Sequence, residues 1–551
     1  MMSIEAGKKS ALLESAVSVA DCGGDAEVED CHPRRLAEEL HMEYVDFHNL
    51  TIDRELLALF PTNALYRHGV LPVSAAGGVV RVAGSDPYAS DWVDELSVLT
   101  GLHIEPVLAE QGQIEQRLKE MLGVGGATVG DLLASGDSEN LPSDSSDEVD
   151  EDSQSSSVIK LVNELLTEAV ATGASDVHIE PEEDGLIIRF RVDGMLRIQP
   201  MPAEIRRFRA AIVSRLKIMA KLNIAEKRLP QDGRIKLSIH GRDVDVRVSV
   251  IPMLHGEGVV MRLLDTSRAM LELDRVDMPA AQRSEWDRLI RKPHGMVLVT
   301  GPTGSGKTTT LYSSLASVRS ASTKIVTIED PVEYNLRGIC QIQVRSQIGL
   351  TFASSLRSVL RHDPDVVLIG EIRDSETAIS AVQASLTGHL VLSTLHTNDA
   401  CGAVSRLVDM GIEPYLVASV LQGVLAQRLV RQLCMSCRVP VELEESQLPP
   451  DFAAGAGRTI YEASGCRKCH GAGFSGRTAL FELLTVDANI RELFTRGAST
   501  GALLDYALSA GLQTLRQSGW QRVLEGVTTV DEVVRVCVDD VVRPAPTIEA
   551  D

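Results

Sequence analysis

The sequence predicts an α/β protein of several domains built around one parallel sheet, and three observations predict it. In the stretch 296–312 an apolar run, Met-Val-Leu-Val-Thr, leads straight into Gly301-Pro302-Thr303-Gly304-Ser305-Gly306-Lys307-Thr308 and then into a helical segment reaching about residue 318. Beyond it, apolar strand-like runs at 324–328, 366–369 and 390–394 alternate with helical patterns at 354–361, 375–385 and 401–410, the order that produces a parallel sheet with helical crossovers. The third observation is size. A chain of 551 residues exceeds what one hydrophobic core organises, so three or four domains are expected.

Composition narrows the class. Hydrophobic residues make up 44% and charged residues 24%, ordinary for a folded water-soluble protein. No apolar run reaches ~18 residues, so no membrane span is expected. The first ten residues, Met-Met-Ser-Ile-Glu-Ala-Gly-Lys-Lys-Ser, lack the apolar core of a signal peptide, and a cytosolic location follows as the expectation. The net charge of −23 counts against nucleic acid as a partner, because a protein that tracks along DNA carries a basic face. Nine cysteines in a cytosolic chain suggest metal or free thiols before disulfides.

Taken in order, residues 1–30 hold few periodic apolar positions and read as unordered. Residues 31–124 read as a small mixed α/β module, with helices at 33–41, 53–60, 91–99 and 111–122 and strands within 69–84 and 103–108. Nothing in it has catalytic spacing, so a docking role is expected. Residues 125–157 form an acidic linker: positions 137–152 hold eight acidic residues and no basic one. Such a segment cannot bury enough apolar surface to order itself; it serves either as a tether or as a passive spacer. Residues 158–270 read as an α+β domain, with helices at 158–172 and 206–222, a strand at 186–192 closed by the hairpin signal Asp193-Gly194, a hairpin at 236–250 and a strand at 259–264. A helix at 274–293 opens the domain 271–433, whose alternating order argues a RecA-like core, and residues 417–433 read as a long helix. A cysteine-rich insert, 434–480, and a helical tail, 481–551, complete the chain.

The glycine-rich turn carries the most specific chemistry. Glycines let backbone N–H groups close around phosphate oxygens, and the helix N-terminus adds partial positive charge. In this P-loop pattern Lys307 reaches the β- and γ-phosphates, the Thr308 hydroxyl ligates Mg²⁺, and Thr309 is a further nucleotide-binding residue. The run Asp365-Val-Val-Leu-Ile-Gly-Glu371 is an apolar strand that delivers one carboxylate beside that loop, where Glu371 can hold Mg²⁺ or its water. Glu329, Asp330 and Glu333 crowd the end of another strand. Three carboxylates so close repel unless something cationic is near, and Glu333 is the candidate to position the attacking water, with the others on the metal shell. His396, after the strand at 390–394, can sense the γ-phosphate through a hydrogen bond.

Cys434-Met-Ser-Cys437 and Cys466-Arg-Lys-Cys469 are two Cys-x-x-Cys pairs. Four thiolates suit a tetrahedral Zn²⁺ with no open position, a structural site. Cys466–His470 also reads as a c-type haem attachment pattern, opposed by the cytosolic expectation and the second pair. Disulfides and vacant thiols stay open beside these two.

Together these motifs resemble the secretion-superfamily ATPases, which comprise type II secretion ATPases and type IV pilus assembly ATPases. The matching elements are 301–308, 327–334, 365–371 and 387–398, with Ala174-Ser-Asp-Val-His-Ile-Glu-Pro, Leu229-Pro-Gln-Asp-Gly-Arg234, Asp245-Val-Arg247-Val-Ser and Val260-Met-Arg262-Leu-Leu. The resemblance covers about 158–533, and the front module resembles the family's docking domain more loosely. It implies a hexameric, Mg²⁺-dependent ATPase at the cytoplasmic face of the inner membrane. It also implies a PAS-like α+β domain before the P-loop, zinc in the insert, and ATP bound between that α+β domain and the RecA-like core. Arginines would reach the phosphates: Arg247 and Arg262 from the preceding domain, Arg357 and Arg361 four apart before the acidic strand, and Arg477 beyond the cysteines. A planar, always charged guanidinium suits a developing phosphoryl charge.

The expected function is therefore a motor ring that hydrolyses ATP and drives assembly of pilin-like subunits. Its expected partners are an inner-membrane secretion platform and a single-pass membrane subunit with a cytoplasmic docking domain. Type II secretion is expected, with type IV pilus assembly as the rival within the class. A nucleic-acid translocase or conjugation motor and a nucleotide-gated docking protein are the rivals outside it.

Overall fold

The computed structural model describes residues 28–129 and 154–537, apart from the short stretches 48–49, 51, 58, 89–90, 124, 127, 184, 240, 266–271, 443–448 and 453–458. Most of the N-terminus expected to be unordered, and most of the acidic linker, lie outside the described residues. The chain divides into two compact units, Met1–Ile239 with Val246–Leu263, and His240–Asp245 with Leu264–Asp551.

The first unit opens with a helix, Val28–Glu39, and a three-stranded sheet of β1 (Leu71–Ala76), β2 (Val79–Gly84) and β3 (His103–Leu108), in that order. Gly77 and Gly78 both take positive φ, which lets β1 turn back antiparallel onto β2. Strand β3 runs parallel to β2, with the helix Asp91–Thr100 between them in the chain. The helix expected at 53–60 is short, Arg54–Leu57, and a second one, Thr62–His68, starts after Pro61, a residue that suits a helix start and not an interior. Leu65, Leu71, Val82, Leu96 and Ile114 centre this core and are fully buried.

The same unit continues with the helix Gln154–Ala171 and most of a six-stranded sheet. Its strands are β4 (Asp176–Pro181), β5 (Leu186–Val192), β6 (Met195–Ile198), β7 (Gln231–Ile239), β8 (Arg242–Met253) and β9 (Gly256–Asp265), in the order β6-β5-β4-β9-β8-β7. Alternation buries Val177, Ile179, Ile188, Phe190, Val246, Val248 and Met261. Only Arg209–Met219 of the expected helix 206–222 is α-helical, following a 3-10 turn at Ala203–Phe208.

The second unit holds β10 (Gly295–Thr300), β11 (Ile325–Glu329), β12 (Cys340–Gln343), β13 (Val366–Ile369), β14 (Leu390–Leu395), β15 (Leu421–Leu433), the small pair β16 (Arg438–Val441) and β17 (Ile460–Ala463), and β18 (Phe474–Thr485). Seven of them make the central sheet, in the order β12-β11-β13-β14-β10-β15-β18, parallel throughout except where β18 returns antiparallel to β15. Successive residues of β10 serve opposite cores: Met296 and Leu298 join one, Val297 and Val299 the other. Both faces are therefore covered, and the strands read as unbroken apolar runs.

That double burial explains one correction. Residues 417–433 are not one helix: the helix Pro414–Val420 ends and β15 begins at Leu421. A run buried on both faces carries neither the helical nor the strand period, and here neighbours on both sides decide it. A Cβ on Gly423 would stand 2.6 Å from Leu289 Cδ1, so the strand needs glycine at that crossing. In the region expected to be a helical tail, residues 481–485 belong to β18, and the described residues beyond them hold helices at Ala488–Thr495, Thr500–Ser509, Leu515–Leu524 and Val530–Val536.

Candidate active site

Chain order brings the expected motifs to one edge of the sheet. The glycine-rich loop follows β10, Glu329 ends β11, Glu371 follows β13 after one glycine, and His396 follows β14. All lie at the carboxyl ends of parallel strands, where open α/β sheets bind ligands.

The loop's path requires its glycines. Gly301 has φ +146°, and a Cβ there would stand 2.4 Å from the Gln427 carbonyl oxygen. Gly306 has φ +89°, and its Cβ would stand 2.7 Å from Gln427 Nε2. Strand β15 is thus the floor beneath the loop, tied to the following helix where Thr310 Oγ1 donates to Gln427 Oε1 at 2.8 Å. Ser305 Oγ is buried and has no hydrogen-bond partner among the described residues. No side chain caps the helix Lys307–Val318, so its first N–H groups face the loop, and Thr308 stands exposed in its first turn. A cradle that a Cβ would fill, uncapped N–H donors and an orphaned hydroxyl fit a phosphate chain.

Lys307 Nζ donates to the carbonyl oxygens of Gly301 at 2.7 Å and Pro302 at 3.0 Å. Burial lowers its pKa to about 8; the field of Glu371 opposes the shift and that of Arg428 adds to it. Glu371 is nearly buried. Arg373 Nη2 lies 2.6 Å from one of its oxygens and His396 Nε2 lies 3.3 Å from the other. The acid after β13 and the histidine after β14 are therefore in contact. Thr300, at the end of β10, holds the adjacent residue, its Oγ1 accepting from the Thr397 N–H at 2.9 Å.

The acidic cluster is sorted by burial. Glu329 is buried and accepts from the Tyr312 and Thr327 hydroxyls and from Gln341 Nε2 at 3.1 Å. Neutral donors satisfy this carboxylate, where the sequence reading expects a cation to offset the repulsion. Burial, reinforced by the Glu329 charge, pushes the Tyr312 hydroxyl pKa upward. Asp330 is exposed and Glu333 half-buried. Glu329, Asp330 and Glu333 thus face three different environments.

The arginines are more dispersed. Arg357 lies on the helix Phe352–Val359 and Arg361 on the 3-10 turn that follows, so the pair does not share one α-helical face. Arg357 pairs with Glu376 at 2.7 Å, and Arg361 Nη1 donates to the Arg357 carbonyl at 2.8 Å. Arg477 sits exposed on β18, opposite Arg431. Arg247 and Arg262 belong to the other compact unit, on β8 and β9, and Arg262 Nε donates to Asp176 Oδ1 at 3.0 Å. Sequence reasoning misses Gln427 and Arg428, which it assigns to a helix; no local pattern marks them.

The four expected cysteine sulfurs converge, all within 4.8 Å of one another. Cys434 and Cys466 are 3.8 Å apart, Cys437 and Cys469 3.8 Å, and Cys466 and Cys469 3.7 Å. Those separations exceed a disulfide bond of about 2.05 Å and match the edge of a tetrahedron with metal–sulfur bonds of about 2.3 Å, which is about 3.8 Å. The N–H groups of Cys466 and Gly473 each lie 3.1 Å from Cys469 Sγ, as suits a thiolate acceptor. The donor set fits a closed structural metal site.

The chain is similar to known proteins over most of its length. Residues 151–535 match the family described as type II/IV secretion system protein, and residues 40–128 match the MshEN domain. The type IV pilus assembly ATPase PilB of Myxococcus xanthus is 44% identical over 511 residues, 91% of this chain and 89% of its own. The type II secretion system protein E of Dickeya dadantii is 53% identical over 404 residues, 73% of this chain and 80% of its own. The type II secretion system ATPase E of Vibrio cholerae is 53% identical over 380 residues, 69% and 75% respectively. Among solved structures, the Legionella pneumophila ATPase DotB covers 68% of this chain and 92% of its own with a TM-score of 0.51 at 20% identity, a likeness of fold alone.

Proposed function

The chain belongs to the type II/IV secretion system protein family, and on that premise we propose that it is the motor ATPase of a type II secretion apparatus. It would work as a homo-hexamer on the cytoplasmic side, held to an inner-membrane platform by partners, and drive the assembly of pilin-like subunits. Among the described residues no helix is long and apolar enough to cross a membrane. The observation that carries the motor reading is the contact of Glu371 with His396 at the sheet edge that also bears the phosphate loop. Its relatives named for type II secretion support the secretion assignment. Type IV pilus assembly is the second reading, favoured by the Myxococcus pilus ATPase, whose likeness extends into the front module.

In this reading the backbone of 301–306 and Lys307 bind the nucleotide phosphates, and Thr308 and Glu371 hold Mg²⁺, which neutralises developing phosphoryl charge. Glu333 orients water, and His396 reports the γ-phosphate through the carboxylate it touches. Arg357, Arg361, Arg477, Arg247 and Arg262 supply further positive charge. Cys434, Cys437, Cys466 and Cys469 hold Zn²⁺ as a structural ion. Residues 31–124 serve as the docking module for a single-pass membrane subunit.

The test is deletion of the gene in its native cell, complemented by wild type or by Glu371→Gln. Loss of exported enzymes from the medium, with surface pili intact and rescue by wild type alone, supports the secretion motor. Loss of surface pili with export intact moves the assignment to pilus assembly.

A further inference from the structure

Two buried ionisable side chains, Arg428 and Glu482, grip the turn that carries His396. Strands β15 and β18 pair with Ala426 opposite Glu482 and Arg428 opposite Leu480, which makes Arg428 and Glu482 diagonal neighbours on one sheet face. Arg428 is 8% exposed and Glu482 3%. Arg428 Nη2 donates to the backbone and side-chain oxygens of Asn398 at 3.2 and 3.1 Å, and its Nη1 has no hydrogen-bond partner among the described residues. Glu482 Oε1 accepts from the Ala400 N–H at 2.8 Å, and Oε2 accepts from the Leu515 N–H at 3.1 Å.

Ala400 and Leu515 each open a ten-residue helix. The usual caps of these helices are already engaged further in, Asp399 with the Gly402 N–H and Thr514 with the Gln517 N–H. The first N–H of each helix is left for Glu482, so two helix N-termini converge on one carboxylate. With Thr300 holding Thr397, residues 397, 398 and 400 are clamped by β10, β15 and β18 in turn. His396, the residue before them, is the one that meets Glu371.

We propose that Arg428 and Glu482 are positioning residues for hydrolysis: together they set the reach of His396 to Glu371, and Glu482 ties that turn to the C-terminal helical tail. The inference rests on the reading of the Glu371–His396 pair as part of the hydrolytic site. Arg428 fixes the turn at Asn398 and Glu482 fixes it at Ala400, so a shift of the tail at Leu515 is transmitted to His396 through one shared carboxylate.

The experiment uses the full chain and measures kcat and KM for ATP, the Kd of a fluorescent ATP analogue, and the melting temperature. Glu482→Gln keeps the shape but not both acceptors; Arg428→Lys keeps the charge but loses the two-point grip. Each is made alone and together with His396→Ala. Each single variant is expected to lower kcat about tenfold while Kd moves less than about threefold. Added to His396→Ala, each is expected to cost less than about twofold more, because residues acting through one another are not additive. Losses that multiply in full, or a wild-type kcat in a single variant that melts like wild type, overturn the inference. Should Glu482→Gln not fold, the Arg428→Lys cycle decides by the same criteria. A wild-type chain without ATP hydrolysis would remove the underlying reading; additive losses in an active enzyme remove this inference alone.

Discussion

His396 Nε2 stands 3.3 Å from one carboxylate oxygen of Glu371, whose other oxygen takes the Arg373 guanidinium at 2.6 Å. The carboxylate is met from two sides by groups of two different segments. Glu371→Gln preserves its shape while removing its charge. This variant is expected to lose at least about 100-fold in kcat and to bind nucleotide within a fewfold of wild type, as checked by phosphate release and fluorescent nucleotide titration. Hydrolysis at the wild-type rate would place the essential carboxylate elsewhere.

The glycines of the loop are not equivalent. An alanine at 301 meets the Gln427 carbonyl at 2.4 Å in a backbone region that only glycine adopts comfortably, whereas Gly304 has φ +79° with open space around its Cβ position. Gly304→Ala costs the left-handed strain alone, about 1–2 kcal/mol, so its nucleotide Kd should rise by about thirtyfold or less. Gly301→Ala should abolish measurable binding, because β15 cannot withdraw. Equal effects of the two substitutions in a binding titration would refute the floor assigned to Gln427.

Lys307 sets a pH dependence. Its pKa is lowered to about 8 by burial, against about 10.4 in an unfolded chain. The folded state therefore binds fewer protons than the unfolded one across that window. Stability rises with pH between the two values as the cost of burying the ammonium is relieved. Nucleotide binding runs the other way, since the phosphates need the charged form. Affinity should fall as pH rises through 8, and binding near pH 8 should take up a proton. Calorimetry in buffers of different ionisation enthalpy measures that proton directly; a slope of zero would count against a neutralised lysine.

Metal removal gives a further check. The four sulfurs of Cys434, Cys437, Cys466 and Cys469 lie within 4.8 Å of one another beside the strand pair β16–β17, and β15 leads directly into them. Cys466→Ser should lower bound zinc from about one equivalent to near none, measured by elemental analysis, because a three-thiolate site loses much of its affinity. The melting temperature should drop with it, and a strong chelator should reproduce the drop in wild type. Full zinc content in the variant would show that the metal is held elsewhere.

The chemistry that travels in one contiguous stretch was legible in the sequence. The glycine-rich loop, the apolar strand leading to Glu371 and the two cysteine pairs are read locally, because glycine's freedom, a buried strand's composition and a knuckle's spacing are properties of neighbouring residues. The parallel sheet followed from the alternation of strands and helices. The tertiary structure alone decided the rest. Residues 421–433 became a strand because both faces are buried and the period is erased. Glu329 turned onto neutral donors, while Asp330 beside it stayed in solvent. Gln427, Arg428 and Glu482 are common residue types without a motif. They reach the loop and the His396 turn only because β15 lies beside β10 and β18 beside β15, contacts between residues far apart in the chain that no local spacing can encode.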